Sequence, residues 1–283
     1  MVRIKDLRKN AVSVLEKVAG DSPKADVDTI LIKLLGLTRT EILRGEKELC
    51  DKEQKVFEQA VKRLKSGEPV QYIVGECEFM SLPFAVNSST LIPRADTEIL
   101  VEEIIRLYDS DGEINVMDIG TGTGCIAVSL AHYLKKARVW AVDISRDAID
   151  VAIKNANAAG VSQRVEFIRH DIMKGFPQID AGLDVIVSNP PYIPKEDCLQ
   201  LDKKVKDFEP ASALDGGEDG LDFYRQIVKV VKLKENGVLA FEVGINQAEQ
   251  VAQIMTERFC EIRIIKDLSG IDRVVTGKIK RGC

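Results

Sequence analysis

From Thr97 onward the chain alternates between two periods, and that alternation limits its architecture more than any other feature. Short runs rich in β-branched residues fall at about 114–119, 138–143, 165–169, 184–188 and 238–243. Helical patterns fall between them, at about 124–135, 146–159, 221–235 and 246–258. A run such as Val185-Ile186-Val187 is apolar on both sides of the pleat, as a strand covered on both faces must be. Thr97 and Glu98 open a further helix through Leu100, Val101, Ile104 and Leu107, ahead of the first strand. The last two runs, 261–267 and 272–279, leave no room for a helix between them and are expected to pair as an antiparallel hairpin. The expected fold class is α/β: a doubly wound, mostly parallel, seven-stranded sheet with that hairpin at its edge.

Residues 1–70 follow a different rhythm. Ile4, Leu7, Ala11, Val14, Leu15 and Val18 recur at helical spacing, with Gly20 placed to cap the helix end. Ser22-Pro23 reads as N-cap and first helical position, opening a helix through Val27, Ile30 and Leu31 that stops at Gly36. Thr38-Arg39-Thr40-Glu41 has capping-box spacing, and Asp51 opens a longer helix through Phe57 and Leu64 that closes at Gly67. These make a small helical bundle, either plain scaffold or a docking surface for a macromolecular substrate. The runs at 70–75, 77–80 and 84–86 look extended and predict a hairpin. The expected organisation is a helical bundle at 1–70, a hairpin linker at 71–94 and the α/β domain at 95–283.

Composition excludes more than it assigns. Among 283 residues, 40 are Lys or Arg and 45 are Asp or Glu, a net charge of −5. A chain that lives on nucleic acid usually carries a basic face, so stable nucleic-acid binding is not expected. Six scattered cysteines without Cys-x-x-Cys, beside His132 and His170 alone, make a poor zinc inventory. No metal is expected, and free thiols suit a reducing cytoplasm. No apolar run reaches the length of a membrane span, and the N-terminus lacks a signal-peptide core. A cytoplasmic monomer is expected.

The strand at 184–188 ends in Asn189-Pro190-Pro191-Tyr192. Neither proline can donate to a sheet ladder, and each pins its own φ. The result is a stiff turn at a strand's carboxyl end, where open α/β sheets bind ligands. It offers an amide, carbonyl oxygens and a ring, a set suited to a planar –NH2. The side-chain oxygen of Asn189 and the carbonyl of Pro190 can accept its two hydrogens and direct its lone pair at a neighbouring electrophile. Tyr192 can stack on the flat face. Such positioning lowers a barrier by several kcal/mol. The bland alternative is a Pro-rich turn after a core strand.

A second strand end carries Asp118-Ile119-Gly120-Thr121-Gly122-Thr123-Gly124-Cys125. A dinucleotide site wants Gly-x-Gly-x-x-Gly over a helix N-terminus. Here the third glycine comes one residue early, and Asp118 is expected to face the ligand, which suits a cation such as an amino group or a sulfonium. Asp143 ends the next strand, where an acid can accept both hydroxyls of a ribose. Asp171 and Ile172 follow the third, placed to meet an adenine amino group and ring. Singly, each acid is more often a helix cap; together, beside a Gly-rich turn, they read as a nucleoside-sulfonium site.

The Gly-Thr-Gly-Thr-Gly turn, with an acid at the next strand end, resembles the class I S-adenosylmethionine-dependent methyltransferases. Asn-Pro-Pro-Tyr narrows this to enzymes that methylate planar nitrogens. The stretches Gly67-Glu68-Pro69-Val70-Gln71-Tyr72-Ile73, Leu91-Ile92-Pro93-Arg94-Ala95-Asp96-Thr97-Glu98 and Asp207-Phe208-Glu209-Pro210 through Asp219-Gly220-Leu221 extend the resemblance over nearly the whole chain. With them the chain is similar to the protein-(glutamine-N5) methyltransferases called HemK or PrmC. Ala95, where that family commonly has proline, and Ile172, where some members carry an aromatic, depart from the pattern.

The resemblance implies methyl transfer from S-adenosylmethionine to the Gly-Gly-Gln glutamine of peptide chain release factors, with S-adenosylhomocysteine as product. It implies that Gly120, Thr121, Gly122, Thr123 and Gly124 hold the methionine part, Asp143 the ribose, and Asp171 with Ile172 the adenine. Asn189, Pro190 and Tyr192, with Pro191 in the same turn, would grip the glutamine amide, Asn189 also facing the cofactor. Arg94 is expected to reach the site or to pair with Asp96. The stretch 193–220 is long for a loop, acidic, and expected to be a substrate-facing lid. The alternatives are an adenine-N6 methyltransferase acting on DNA or RNA, an NAD-dependent oxidoreductase, and a silent binding module on the same fold.

Overall fold

A computed structural model describes residues 2–16, 22–108 and 112–281. The expected helix continuation at Val18 and the Gly20 cap lie outside the described residues. The chain divides into two units, Met1–Glu76 with Asp202–Phe208, and Cys77–Leu201 with Glu209–Cys283.

The first unit is helical. β1 (Val2–Arg3) pairs with β2 (Glu48–Leu49) around α1 (Ile4–Leu15), α2 (Pro23–Leu35) and α3 (Arg39–Arg44), and α4 (Asp51–Lys65) and α5 (Val70–Val74) follow. α2 starts at a proline, which needs no N–H there, and stops at Gly36 in the left-handed region. α3 opens with the expected capping box. Glu41 N–H donates to Thr38 Oγ1 at 3.2 Å, and Thr38 N–H donates to Glu41 Oε2 at 2.8 Å. Ile4, Leu15, Ile30, Leu31, Leu49 and Leu64 are fully or almost fully buried, each contributing about 1.5–3 kcal/mol.

The expected extended segment at 70–75 is instead the short helix α5. Pro69 sets its entry and Gly75, at φ 79°, its exit. Val70 and Ile73 are both buried. A strand would send them to opposite faces, whereas one helical turn puts them together. The hairpin is shorter than the 71–94 linker: β3 (Glu76–Phe79) and β4 (Leu82–Ala85), joined through Met80 and Ser81 at φ 50° and 58°.

The second unit continues with α6 (Ala95–Leu107), β5 (Asn115–Ile119), α7 (Cys125–Tyr133), β6 (Arg138–Asp143), α8 (Arg146–Ala158), β7 (Val165–Arg169) and β8 (Val185–Ser188). After α9 (Lys203–Lys206), which clusters with the helical unit, come α10 (Asp222–Val230), β9 (Val238–Glu242), α11 (Ala248–Met255), β10 (Phe259–Lys266) and β11 (Asp272–Ile279). Seven of the described strands form one sheet in the order β10-β11-β9-β8-β5-β6-β7. Its β5, β6, β7, β8 and β9 are parallel; β11 runs antiparallel to β9 and β10. Doubly wound α/β with an edge hairpin is therefore the observed fold. Alternation along each strand feeds two cores. Val116, Val185, Val187 and Ala240 pack with Leu100, Ile126 and Leu130, whereas Met117, Ile186, Leu239 and Phe241 pack with Tyr224, Ile227 and Val251. No helix among the described residues is long and apolar enough to cross a membrane.

Candidate active site

The winding of the sheet reverses between β5 and β8. β6 and β7 lie to one side of β5, and β8 and β9 to the other. At such a reversal the crossovers diverge and leave a crevice at the strand ends. Gly120 follows β5 there and Asn189 follows β8. Ser188 Oγ donates to the Ile119 carbonyl at 2.7 Å and ties the two ends together. A cavity of about 450 Å³ opens at this point, within the range of small-molecule sites.

One wall is the Gly-rich turn. Gly120, Gly122 and Gly124 have φ of 75°, 55° and 78°, where a side chain would be strained. The N–H groups of Gly120 and Thr121 donate to the Val142 carbonyl at 2.8 and 2.9 Å, and Gly122 N–H donates to Asp143 Oδ2 at 2.9 Å. The end of β6 thus holds the turn. Asp143 Oδ1 accepts from Ser145 N–H at 2.9 Å. Burial pushes the Asp143 carboxyl up, against the backbone N–H groups that favour its ionised form. The Gly-rich turn residues from Gly120 to Thr123 line the cavity with Asp143; Gly124 caps α7 behind them.

Asp118 departs from expectation. It is fully buried and does not line the cavity. Its Oδ2 accepts from the Thr121 hydroxyl at 2.6 Å and from Ala127 N–H at 3.2 Å, and burial pushes the carboxyl up to about 7. It braces the turn from beneath, at the N-terminal end of α7, because alternation along β5 points it to the face shared by Val116 and Ala127.

Asp171 and Ile172 line another part of the cavity. Asp171 Oδ1 accepts from Met173 N–H at 3.0 Å, capping the short 3-10 turn Ile172–Lys174. Ile172 is buried, and its carbonyl accepts from Gln226 Nε2 at 3.1 Å.

Asn189, Pro190 and Pro191 line the cavity, but Tyr192 does not. Its ring packs against the core around Met117 and Phe241, and burial pushes the phenol up to about 12. Its carbonyl accepts from Gln247 Nε2 at 2.8 Å, and Gln247 Oε1 accepts from Gly244 N–H at 3.1 Å. Gly216 presses on the same turn: a Cβ there would lie 2.7 Å from Tyr192 Cα and 2.8 Å from the Pro191 carbonyl oxygen.

Sequence reasoning missed two residues behind Asn189. Thr97, in the first turn of α6, accepts from Asn189 Nδ2 at 3.1 Å. Glu242 ends β9 and is 2% exposed. Burial pushes its carboxyl up to about 7, against hydrogen bonds from Thr97 and Asn189; Asp96 adds to the rise and Arg273 opposes it. The available signal was an acid closing an apolar strand, the feature already read at Asp118 and Asp143.

Arg94 pairs with Glu209 at 2.5 Å, whereas Asp96 pairs with Arg273 at 2.9 Å. The stretch 193–220 is built rather than bare. Ile193 bridges to Asp215, and 3-10 turns form at Asp197–Gln200 and Ala211–Ala213. Pro210, Ser212, Ala213 and Asp215 line the cavity. The lining thus carries the carboxylates of Asp143, Asp171 and Asp215 against one guanidinium, Arg94, already engaged by Glu209. That charge set suits a nucleoside bearing a cation and opposes a pyrophosphate.

Two family models match the chain: one described as PrmC N-terminal domain over residues 6–75, the other as a methyltransferase domain over 110–274. Among curated relatives, a release factor glutamine methyltransferase of Bacillus cereus is 36% identical, with 99% of this chain and 100% of the relative covered. One of Geobacter sulfurreducens is 42% identical, covering 92% and 90%. A solved methyltransferase structure from Pyrococcus furiosus shares the fold, with TM-score 0.52 at 13% identity over 81% of this chain and 98% of that one.

Proposed function

The chain belongs to the release factor glutamine methyltransferases, and from that premise we propose that it moves a methyl group from S-adenosylmethionine to the side-chain nitrogen of the glutamine in a release factor's Gly-Gly-Gln motif. The observation that carries this reading is the meeting of two turns at one crevice: a Cβ on Gly120 would lie 3.9 Å from the Asn189 carbonyl oxygen. When bound, S-adenosylmethionine supplies a methyl on a positively charged sulfur, an activated leaving group. Gly120 to Thr123 would hold its methionine part, with Gly124 shaping the turn behind them, Asp143 its ribose hydroxyls, and Asp171 with Ile172 its adenine.

Asn189 Oδ1 and the Pro190 carbonyl accept the two hydrogens of the substrate amide. The nitrogen lone pair is thereby aimed at the methyl carbon. With S-adenosylmethionine bound, the N–C bond would form as the S–C bond breaks, and the nitrogen would then give up one proton to solvent. Orientation and exclusion of water carry the rate increase. Pro191 stiffens the turn, and Tyr192, packed away from the cavity, braces it. The helical unit docks the release factor, and the acidic stretch with Glu196, Asp197, Glu218 and Asp219 faces the substrate's basic loop.

The test is transfer of labelled methyl from S-adenosylmethionine to an unmodified release factor, beside a copy whose Gly-Gly-Gln glutamine is alanine. Label on the first alone supports the proposal. Label on DNA or RNA, with none on the release factor, overturns it in favour of base methylation.

A further inference from the structure

We propose that Thr97 and Glu242 are positioning residues that fix which end of the Asn189 amide faces the substrate. The inference rests on the proposed transfer to an amide nitrogen. In that reaction the substrate –NH2 offers only donors, so Asn189 must present its oxygen. The two ends of an amide have nearly the same shape, and only their partners distinguish them. A turned amide would set donor against donor at the reacting atom.

Thr97 alone cannot set the direction. Its hydroxyl accepts from Asn189 Nδ2 at 3.1 Å, but a hydroxyl can equally donate to an amide oxygen. What removes the ambiguity is an acceptor for the hydroxyl's own proton. Glu242 lies beside both, and hydrogen bonding from Thr97 and Asn189 favours its ionised form against burial. An ionised carboxylate only accepts, so the chain runs one way, from Asn189 through Thr97 to Glu242. Nδ2 is then held behind the turn by Thr97, and Oδ1 is left for the substrate. Glu242 Oε2 has no hydrogen-bond partner among the described residues.

The three side chains come from three elements. Thr97 sits in α6, Asn189 follows β8, and Glu242 ends the neighbouring β9. The charged and titratable groups facing Glu242 are Asp96 of α6, Cys125 of α7, Arg273 of β11, Tyr192 after β8 and Tyr224 of α10. Arg273 divides its charge between Asp96 at 2.9 Å and Asp267 at 3.2 Å, and Tyr224 donates to the Glu242 backbone carbonyl rather than its carboxyl. Protonation of Glu242 makes it a donor and lets the chain reverse. Turnover is therefore present above the Glu242 titration, near 7, and is lost as pH falls through it.

The experiment uses the full chain with unmodified release factor and measures kcat, the Kd for S-adenosylmethionine, and the pH profile for wild type, E242Q, T97V and T97S. E242Q and T97V are expected to lower kcat on the order of 100-fold with Kd changed less than about twofold, and T97S to keep most of the rate. The acid limb of the wild-type profile is expected to vanish in E242Q. E242Q with wild-type kcat and an unchanged acid limb overturns the inference, as does a loss of cofactor binding that parallels the loss of rate. Should E242Q not fold, T97V against T97S decides: equal rates overturn it. An unlabelled release factor with the wild type overturns the proposed function itself, a separate result.

Discussion

Arg94 and Glu209 stand 115 residues apart in sequence and meet at 2.5 Å. The Glu209 side chain is 1% exposed and that of Arg94 41%. The pair fastens the stretch after Glu209, which walls the cavity, to the segment that enters α6. Burial raises the Glu209 carboxyl, and the charge and hydrogen bond of Arg94 oppose that rise. Arg94→Ala leaves a buried acid unpaired. It is expected to lower stability by about 1–3 kcal/mol, read by urea unfolding, and to raise KM for the release factor. Unchanged values for both would show that the wall is held by other contacts.

Asn189→Ala is expected to reduce turnover on the order of 100-fold while S-adenosylmethionine binds nearly as well as to wild type. Calorimetric titration of the cofactor beside a methyl-transfer assay separates the two effects. A rate near wild type would remove Asn189 from the chemistry.

Gly216→Ala brings a methyl group against backbone, at Tyr192 Cα and the Pro191 carbonyl, with no flexible side chain to give way. Displacement of the Asn-Pro-Pro turn is the expected result. Thermal unfolding should show a loss of about 1–3 kcal/mol, and methyl transfer should fall further than that loss explains. Full activity in this variant would mean that the turn tolerates movement.

Asp118 gives a pH dependence whose sign is fixed. Its carboxyl is raised from 3.8 to about 7 in the folded chain, chiefly by burial. Between those values the folded state holds a proton that the unfolded state has released. The contribution of this group to stability is therefore present in acid and is lost as pH rises from 3.8 to about 7. Asp118→Asn, which keeps an acceptor for Thr121, is expected to flatten unfolding free energy across that window. A wild-type slope retained in the variant would assign the effect to another group.

Much of this molecule was legible because its signals are local. The strand-helix period from Thr97 and the two glycine and proline turns declare themselves within ten residues each. They fall at the ends of adjacent strands because the sheet reverses there. The capping box at Thr38 and Glu41 is local in the same way. What escaped depends on tertiary context. Val70 to Val74 has the composition of a strand, and only the burial of Val70 with Ile73 makes it a helical turn. Asp118 looked like a ligand-facing acid until alternation in β5 turned it under the loop. Thr97 and Glu242 gain a role only through Asn189, 92 residues from Thr97, and no spacing rule announces a partner so distant.

Two prolines after Asn189 leave the turn little freedom to adapt. On the proposed reading, its acceptors are set before any substrate arrives, and what they register is a flat nitrogen with two hydrogens. Every asparagine and glutamine in a cell meets that description. On the proposed reaction, choosing one side chain among thousands therefore falls to surfaces outside this turn. A chain stripped of those surfaces would keep its chemistry and lose its discretion.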